Sequence, residues 1–274
     1  MRCIRITRSI RAWPEWIKSL LHGFRLLALG RPGQAQWPLR VFILQLGGLL
    51  RNGFSSRLER ECLACGWKGF RFLPDWNRDG IVQDTVCPWC GSFSRYHLYF
   101  YWLRGLLSRQ NGEYRYAHIL EVAPKPCSTR FFKRVAPKST YFTCDLNSSL
   151  AMSFHDIRSL GFTDEIFHVV LCSHVLEHVL DDITAMNELY RVIRRGGLAI
   201  IQVPVDWSLT KTQEYFKPRN DEDGHVRQYG QDYPERLMSA GFRVDIFDVD
   251  EKLTPEAQVR HGIKSNRLVI AFKD

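Results

Sequence analysis

From residue 115 onward, short apolar runs alternate with stretches of helical periodicity. AHILEV (117–122) reads as a strand, residues 128–135 as a helix, STYFTCDL (139–146) as a strand and MSFHDI (152–157) as a short apolar segment. IFHVVLCS (166–173) has the continuous apolar character of a strand buried on both faces, and a long amphipathic helix follows over about 181–194. LAIIQVPV (198–205) is the next strand. YPERLMSAGFRVDIFDVD then supplies a helix ending at Gly241 and another strand, and NRLVIAFKD a last one. Strands alternating with helices predict βαβ units. The expected fold class is therefore α/β, a sheet of about seven strands with helices on both faces, the final two strands close enough in sequence to pair antiparallel. In such sheets ligands bind at the carboxyl ends of the parallel strands.

The first 58 residues follow a different pattern. Trp13, Trp16, Ile17, Leu20, Leu21, Phe24 and Leu27 recur at roughly helical spacing after Pro14 and Glu15, which suit a first turn, and GRPG (30–33) suits a stop. A second apolar run, VFILQLGGLL, covers 41–50. Neither reaches the ~18–20 apolar residues a spanning helix needs. Basic residues recurring through position 25, with no clean apolar core and small-residue cleavage site, argue against a secretory signal.

Charge sharpens this division. Residues 1–58 hold Arg2, Arg5, Arg8, Arg11, Lys18, Arg25, Arg31, Arg40, Arg51 and Arg57 against Glu15 alone, a net +9. The remaining residues carry 28 basic and 28 acidic side chains, so the whole +9 excess of the chain is N-terminal and the main body has no global field favouring nucleic acid. Residues 1–58 are expected to be a basic amphipathic helical segment, either a cap packed on the body or a peripheral attachment to an anionic membrane face or polyanion.

Four of the eight cysteines fall in two tight pairs, Cys62-Leu-Ala-Cys65 and Cys87-Pro-Trp-Cys90, with 21 residues between them and a glycine after each pair. Two such knuckles can present four thiolates to Zn²⁺ as a closed structural site, so 59–94 is expected to be a small zinc-ribbon-like module, and the thiols imply a cytoplasmic, reducing compartment. Cys3, Cys127, Cys144 and Cys172 read as small buried apolar residues.

Candidate chemistry then attaches to strand ends. Glu121 ends the first strand and Asp145 the second, 24 residues later, near the spacing at which an acid binds ribose hydroxyls. Asp156 follows the third apolar segment. SHVLEHV (173–179) contains His174-x-x-Glu177-His178, the spacing of an inverted zinc peptidase, but it sits directly on a strand end, where a cofactor loop belongs. The run from Phe167 to Pro204, with RRGG before the fifth strand, together with the acids at the strand ends, resembles the class I S-adenosylmethionine-dependent methyltransferases over roughly residues 95–274. The resemblance implies a Rossmann-like sheet and cofactor contacts at Glu121, Val122, Ala123, Asp145, Leu146, Asp156, Ile157, Ser173 and His174. One departure stands out: the family's glycine-rich first loop is here Glu121-Val-Ala-Pro-Lys-Pro-Cys127, without glycine.

The acceptor side is expected after the fifth strand, in residues 205–233. There GHVRQYG sets His225, Arg227 and Tyr229 at alternate positions, so that an extended backbone points all three to one side. With His174 these are the candidate catalytic residues: a histidine can take a proton and an arginine can clamp an anion, or the pair can simply tie a long loop to the body's acids. The acidic NDED (220–223) reads as solvated loop. The expected activity is methyl transfer to a small-molecule or glycoconjugate acceptor. The alternatives are an RNA or protein methyltransferase that uses the zinc module, the basic N-terminus and the aromatic run YHLYFYW (96–102), a non-catalytic binding protein, and the zinc peptidase.

Overall fold

The computed structural model describes residues 15–30, 32–54, 59–77, 80–108, 113–219 and 224–274. Trp13, Pro14, the arginines at 2, 5, 8, 11, 31 and 57, Cys3 and the NDED loop lie outside the described residues. The chain forms two compact units, 1–101 with 253–265, and 102–252 with 266–274. A segment near the C-terminus, 253–265, belongs with the first unit.

In the first unit, helices α1 (Glu15–Ala28) and α2 (Pro32–Phe54) pack together at Gly23, where a Cβ would stand 2.7 Å from Leu39. Two small hairpins follow: β1 (Arg60–Glu61) with β2 (Lys68–Gly69), and β3 (Leu73–Asn77) with β4 (Gly80–Val86). Helix α3 (Ser94–Leu107) comes next, and Tyr96, His97, Leu98, Tyr99 and Phe100 on it are all buried, which leaves those aromatics no face on which to stack bases. The late segment's position in this unit has visible causes. Its Arg260 pairs with Glu61 at 3.0 Å, its His261 carbonyl accepts from His97 Nδ1 at 2.6 Å, and Gly262 takes φ +60 with no room for a side chain against Phe72.

The second unit contains a seven-stranded sheet. Its strands are β5 (His118–Val122), β6 (Thr140–Asp145), β7 (Ser153–Phe154), β8 (Phe167–Ser173), β9 (Ile193–Gln202), β12 (Arg243–Asp248) and β13 (Arg267–Phe272), in the order β12-β13-β9-β8-β5-β6-β7. All neighbours are parallel except β13, which runs antiparallel to both β9 and β12. This is the α/β sheet the alternation predicts and the Rossmann-like arrangement the resemblance implies. The order turns outward on either side of β5 and β8, so the carboxyl ends of these central strands form the crevice.

Residues alternate between the faces as a pleated strand requires. Leu120, Val122, Val170, Cys172, Ala199 and Ile201 join one buried cluster with Met186 and Leu189 of helix α5 (Asp182–Val192) and Leu237 of α6 (Tyr233–Ser239). The face of Glu121 meets helix α4 (Pro126–Val135), whose Phe132 ring lies 4.9 Å from that of Tyr141. Asp181 caps α5 by accepting from the Thr184 amide at 3.0 Å. Strand β9 starts at Ile193, before the apolar run, because Ile193 already pairs with Phe167; Gly196, at φ +75, lies in the register shift that follows. Between β9 and α6 a hairpin of β10 (Gln213–Arg219) and β11 (His225–Gln228) is inserted.

Candidate active site and cysteine cluster

A cavity of about 500 Å³ opens at the carboxyl ends of β5, β6 and β8, lined by residues of the second unit. Val122 and Ala123 form the first wall. Ala123 holds φ +55, a left-handed backbone that glycine adopts freely and alanine does not, and its amide donates to the Cys144 carbonyl at 2.9 Å. Pro126 then opens helix α4 at a position where its missing N–H and fixed φ cost little. The glycine-free loop therefore keeps the left-handed corner and leaves it by a proline-fixed path.

Asp145 lines the second wall. Its Oδ1 accepts from the Asn147 and Ser148 amides at 2.9 and 2.8 Å, which locks the turn after β6 and leaves Oδ2 for a ligand's hydroxyl donors. Leu146, 67% exposed, and buried Ile157 supply apolar surface to the same cavity. Asp156 also lines it, but its carboxylate is held by Arg158, whose Nη2 stands 2.6 Å from Oδ2. That hydrogen-bonded pairing, more than anything else, lowers the Asp156 pKa. A ligand's hydrogen-bond donor would compete with Arg158 for this acid.

The third wall follows β8. His174 takes φ +57, and its amide donates to the Gln202 carbonyl at 2.8 Å. Its Nδ1 stands 3.0 Å from Oε1 of Glu177, which lies in a single helical turn, Leu176–His178. His178, Val179 and Leu180 continue the lining.

Two expected cofactor contacts do not line the cavity. Glu121 and Ser173 occupy the strand positions that alternate with Val122 and Cys172, so they point to the other face. Glu121 is buried, accepts a hydrogen bond from the Tyr141 hydroxyl, and burial pushes its carboxyl up to about 7. Ser173 Oγ donates to Gln202 at 3.5 Å.

The three alternate residues after β10 do face one side, but that side is the 176–182 segment, and none of them lines the cavity. The His225 ring lies 4.9 Å from that of His178. Arg227, 2% exposed, donates to the carbonyls of Leu176, Val179 and Leu180 and pairs with Glu214 at 3.0 Å. Tyr229 is fully buried, donates to Asp182 at 2.8 Å, and burial raises its hydroxyl pKa well above the usual value. Arg227, expected as a catalytic group, thus spends its guanidinium on backbone carbonyls and Glu214, and Tyr229, expected likewise, spends its hydroxyl on the Asp182 carboxylate, so neither presents a polar atom to the cavity. Asn147, His155, Arg158, Val179 and Leu180 line the cavity unanticipated, since only the folded loops bring them to the strand ends.

In the first unit the four paired cysteines converge. Cys62 and Cys90 sulfurs are 3.6 Å apart, Cys65 and Cys87 sulfurs 3.7 Å, and all four lie within 4.8 Å of one another. These separations far exceed an S–S bond of about 2.05 Å. They match the ~3.8 Å edge of a tetrahedron with metal–sulfur bonds of about 2.3 Å. The two knuckles are built alike: Gly66 and Gly91, at φ +78 and +68, donate back to the Cys62 and Cys87 carbonyls. Burial, then its sulfur neighbours, raises the Cys87 pKa, an effect that a cation among the four sulfurs would oppose.

No curated protein matches the chain. Among solved structures it is similar to the [4+2]-cyclase SpnF, with 14% identity and TM-score 0.46, covering 73% of this chain and 86% of that one. It is also similar to a 1,6-didemethyltoxoflavin-N1-methyltransferase from Burkholderia thailandensis, with 18% identity and TM-score 0.42 over 62% and 76% of the two chains. The YcgJ protein from Bacillus subtilis has 13% identity and TM-score 0.39 over 64% and 99%. Residues 109–201, about a third of the 274, match a family model described as a methyltransferase domain, and they include β5 to β8 and all of the residues that line the cavity.

Proposed function

We propose that the second unit is an S-adenosylmethionine-dependent methyltransferase acting on a small-molecule or glycoconjugate acceptor. The observation that carries this reading is the cavity at the central strand ends, with Asp145 Oδ2 open to a ribose diol and left-handed Ala123 on its wall. When bound, the cofactor supplies a methyl group on a positively charged sulfur. The chain's own residues bind and orient: Asp145 accepts from hydroxyls, Leu146 and Ile157 flank an apolar ring, and His174 stands on the wall nearest the 176–180 turn. Alignment and exclusion of water are the main requirements of an in-line methyl displacement.

A small acceptor is favoured over RNA by two features. The charge outside residues 1–58 sums to zero, and the aromatic run at 96–102 is largely buried. Cys62, Cys65, Cys87 and Cys90 suit a structural Zn²⁺, which fits a cytoplasmic setting. No described helix is long and apolar enough to cross a membrane. Leu21 and Phe24 on α1, and Ile43, Leu46 and Leu50 on α2, are exposed, and with the basic charge of 1–58 they support peripheral contact with an anionic membrane face.

The test is incubation of the purified chain with methyl-labelled S-adenosylmethionine and fractionated cell extract. Label is expected in material that survives nuclease and protease. Label released by nuclease would favour the RNA reading, and no transfer to any fraction would count against catalysis.

A further inference from the structure

Glu177 is 1% exposed, and while Oε1 faces His174, Oε2 is buried with no hydrogen-bond partner. A buried carboxylate oxygen left in that state costs free energy unless a cation or donor meets it. A carboxylate oxygen of Glu177 and one ring nitrogen each of His178 and His225 lie within 4.8 Å of one another. The two imidazoles come from elements far apart in sequence, the turn after β8 and the start of β11, with rings 4.9 Å apart at 73°. Arg227, two residues beyond His225, grips the carbonyls of Leu176, Val179 and Leu180, so hairpin and turn are clamped with the three donors already facing.

We propose that Glu177, His178 and His225 bind a divalent first-row transition-metal ion of the Zn²⁺ class. Two imidazoles and one carboxylate are a donor set that such ions accept, with a coordination position left open. His174 is the outer partner, its Nδ1–H fixing Oε1 so that Oε2 is presented to the ion. This is a different pairing from the one the His174-x-x-Glu177-His178 spacing suggests: His225 replaces His174 as the second imidazole.

His178 also lines the cofactor cavity, so an acceptor oxygen on the open position stands at that cavity's edge. The ion would lower the pKa of a bound hydroxyl, whose proton passes to solvent. The oxygen's electron pair then forms the new C–O bond, the methyl–sulfur bond breaks, and its pair stays on sulfur as S-adenosylhomocysteine. This catalytic role rests on the methyl-transfer reading; ion binding does not.

The experiment titrates full-length, Zn²⁺-loaded protein with Co²⁺, following the visible spectrum and the heat, with S-adenosylhomocysteine affinity measured on the same samples. The wild type is expected to take one further Co²⁺ per chain, with ligand-field bands but no thiolate charge-transfer band. Outer partners alone are worth about 10–100-fold in affinity, so Glu177→Gln, His225→Ala and the exposed His178→Ala should each weaken the ion at least about tenfold. Circular dichroism excludes unfolding, and His178→Ala covers the case in which a buried variant does not fold. No further ion in the wild type, Co²⁺ held only by thiolate, or undiminished binding in folded variants would overturn the proposal. Ion binding without any S-adenosylhomocysteine binding would sink the methyl-transfer reading and leave the metal site standing.

Discussion

Ala123 and His174, each just past the end of one of two adjacent parallel strands, both hold a left-handed backbone, at φ +55 and φ +57. Neither is glycine, and both line the cavity. Such corners are strained for side-chain-bearing residues and cluster where a site is shaped. Replacing Ala123 with glycine relieves the strain at a position that accommodates it. Ala123→Gly should therefore stabilise the fold by about 0.5–1 kcal/mol, read as a higher urea midpoint with unchanged slope.

Arg227 and Asp182 organise the polar network beside the cavity. Asp182, 2% exposed, accepts from Tyr229 and from Arg236 at 2.7 Å, with Arg227 at 3.6 Å. Removing one partner of a buried charge network costs ~3–5 kcal/mol. Arg227→Met should lose about that much stability, and Arg227→Met combined with Asp182→Asn should lose less than the two single changes added together. Additive losses in that double-mutant cycle would show that the two charges are uncoupled.

Glu121 gives the second unit a pH signature. Burial raises its carboxyl from 4.5 to about 7, so in this range the folded state binds the proton that the unfolded state has released. Stability from this group is fully present below about 4.5 and is lost as pH rises through 7, amounting to roughly 3 kcal/mol at most. Glu121→Gln should remove that slope and be more stable than wild type above pH 7. Equal pH dependence of the two proteins in urea melts at pH 5 and pH 8 would refute the assignment.

The four-cysteine cluster predicts a separable effect. Cys62→Ser should lower bound zinc and destabilise the first unit, while S-adenosylhomocysteine affinity of the second unit stays within about twofold, since the two sites share no residue. Zinc analysis and calorimetry on the same preparation check both halves.

Much of this was legible in the sequence where local pattern decides the outcome. Buried parallel strands announce themselves as apolar runs, and the paired cysteines with following glycines announce the knuckles, so β5, β6, β8 and the cluster lie where expected. The left-handed state of Ala123 was not legible, because nothing in Val-Ala-Pro-Lys-Pro distinguishes that corner from an extended one. Periodicity puts His225, Arg227 and Tyr229 on one side, but what that side faces is set by how the β10–β11 hairpin folds back on the 176–182 segment. The same limit hid the meeting of His178 with His225, and the membership of 253–265 in the first unit, which rests on the contacts of Arg260, His261 and Gly262.

The most direct test of the central claim is isothermal titration of S-adenosylmethionine and S-adenosylhomocysteine into the full chain and into Asp145→Ala. Hydrogen bonds to a charged group contribute about 1.5–3 kcal/mol, so the account predicts micromolar binding to the wild type and a loss of about 10–100-fold in the variant. No binding to folded, zinc-containing wild-type protein, or equal binding to both, would contradict it.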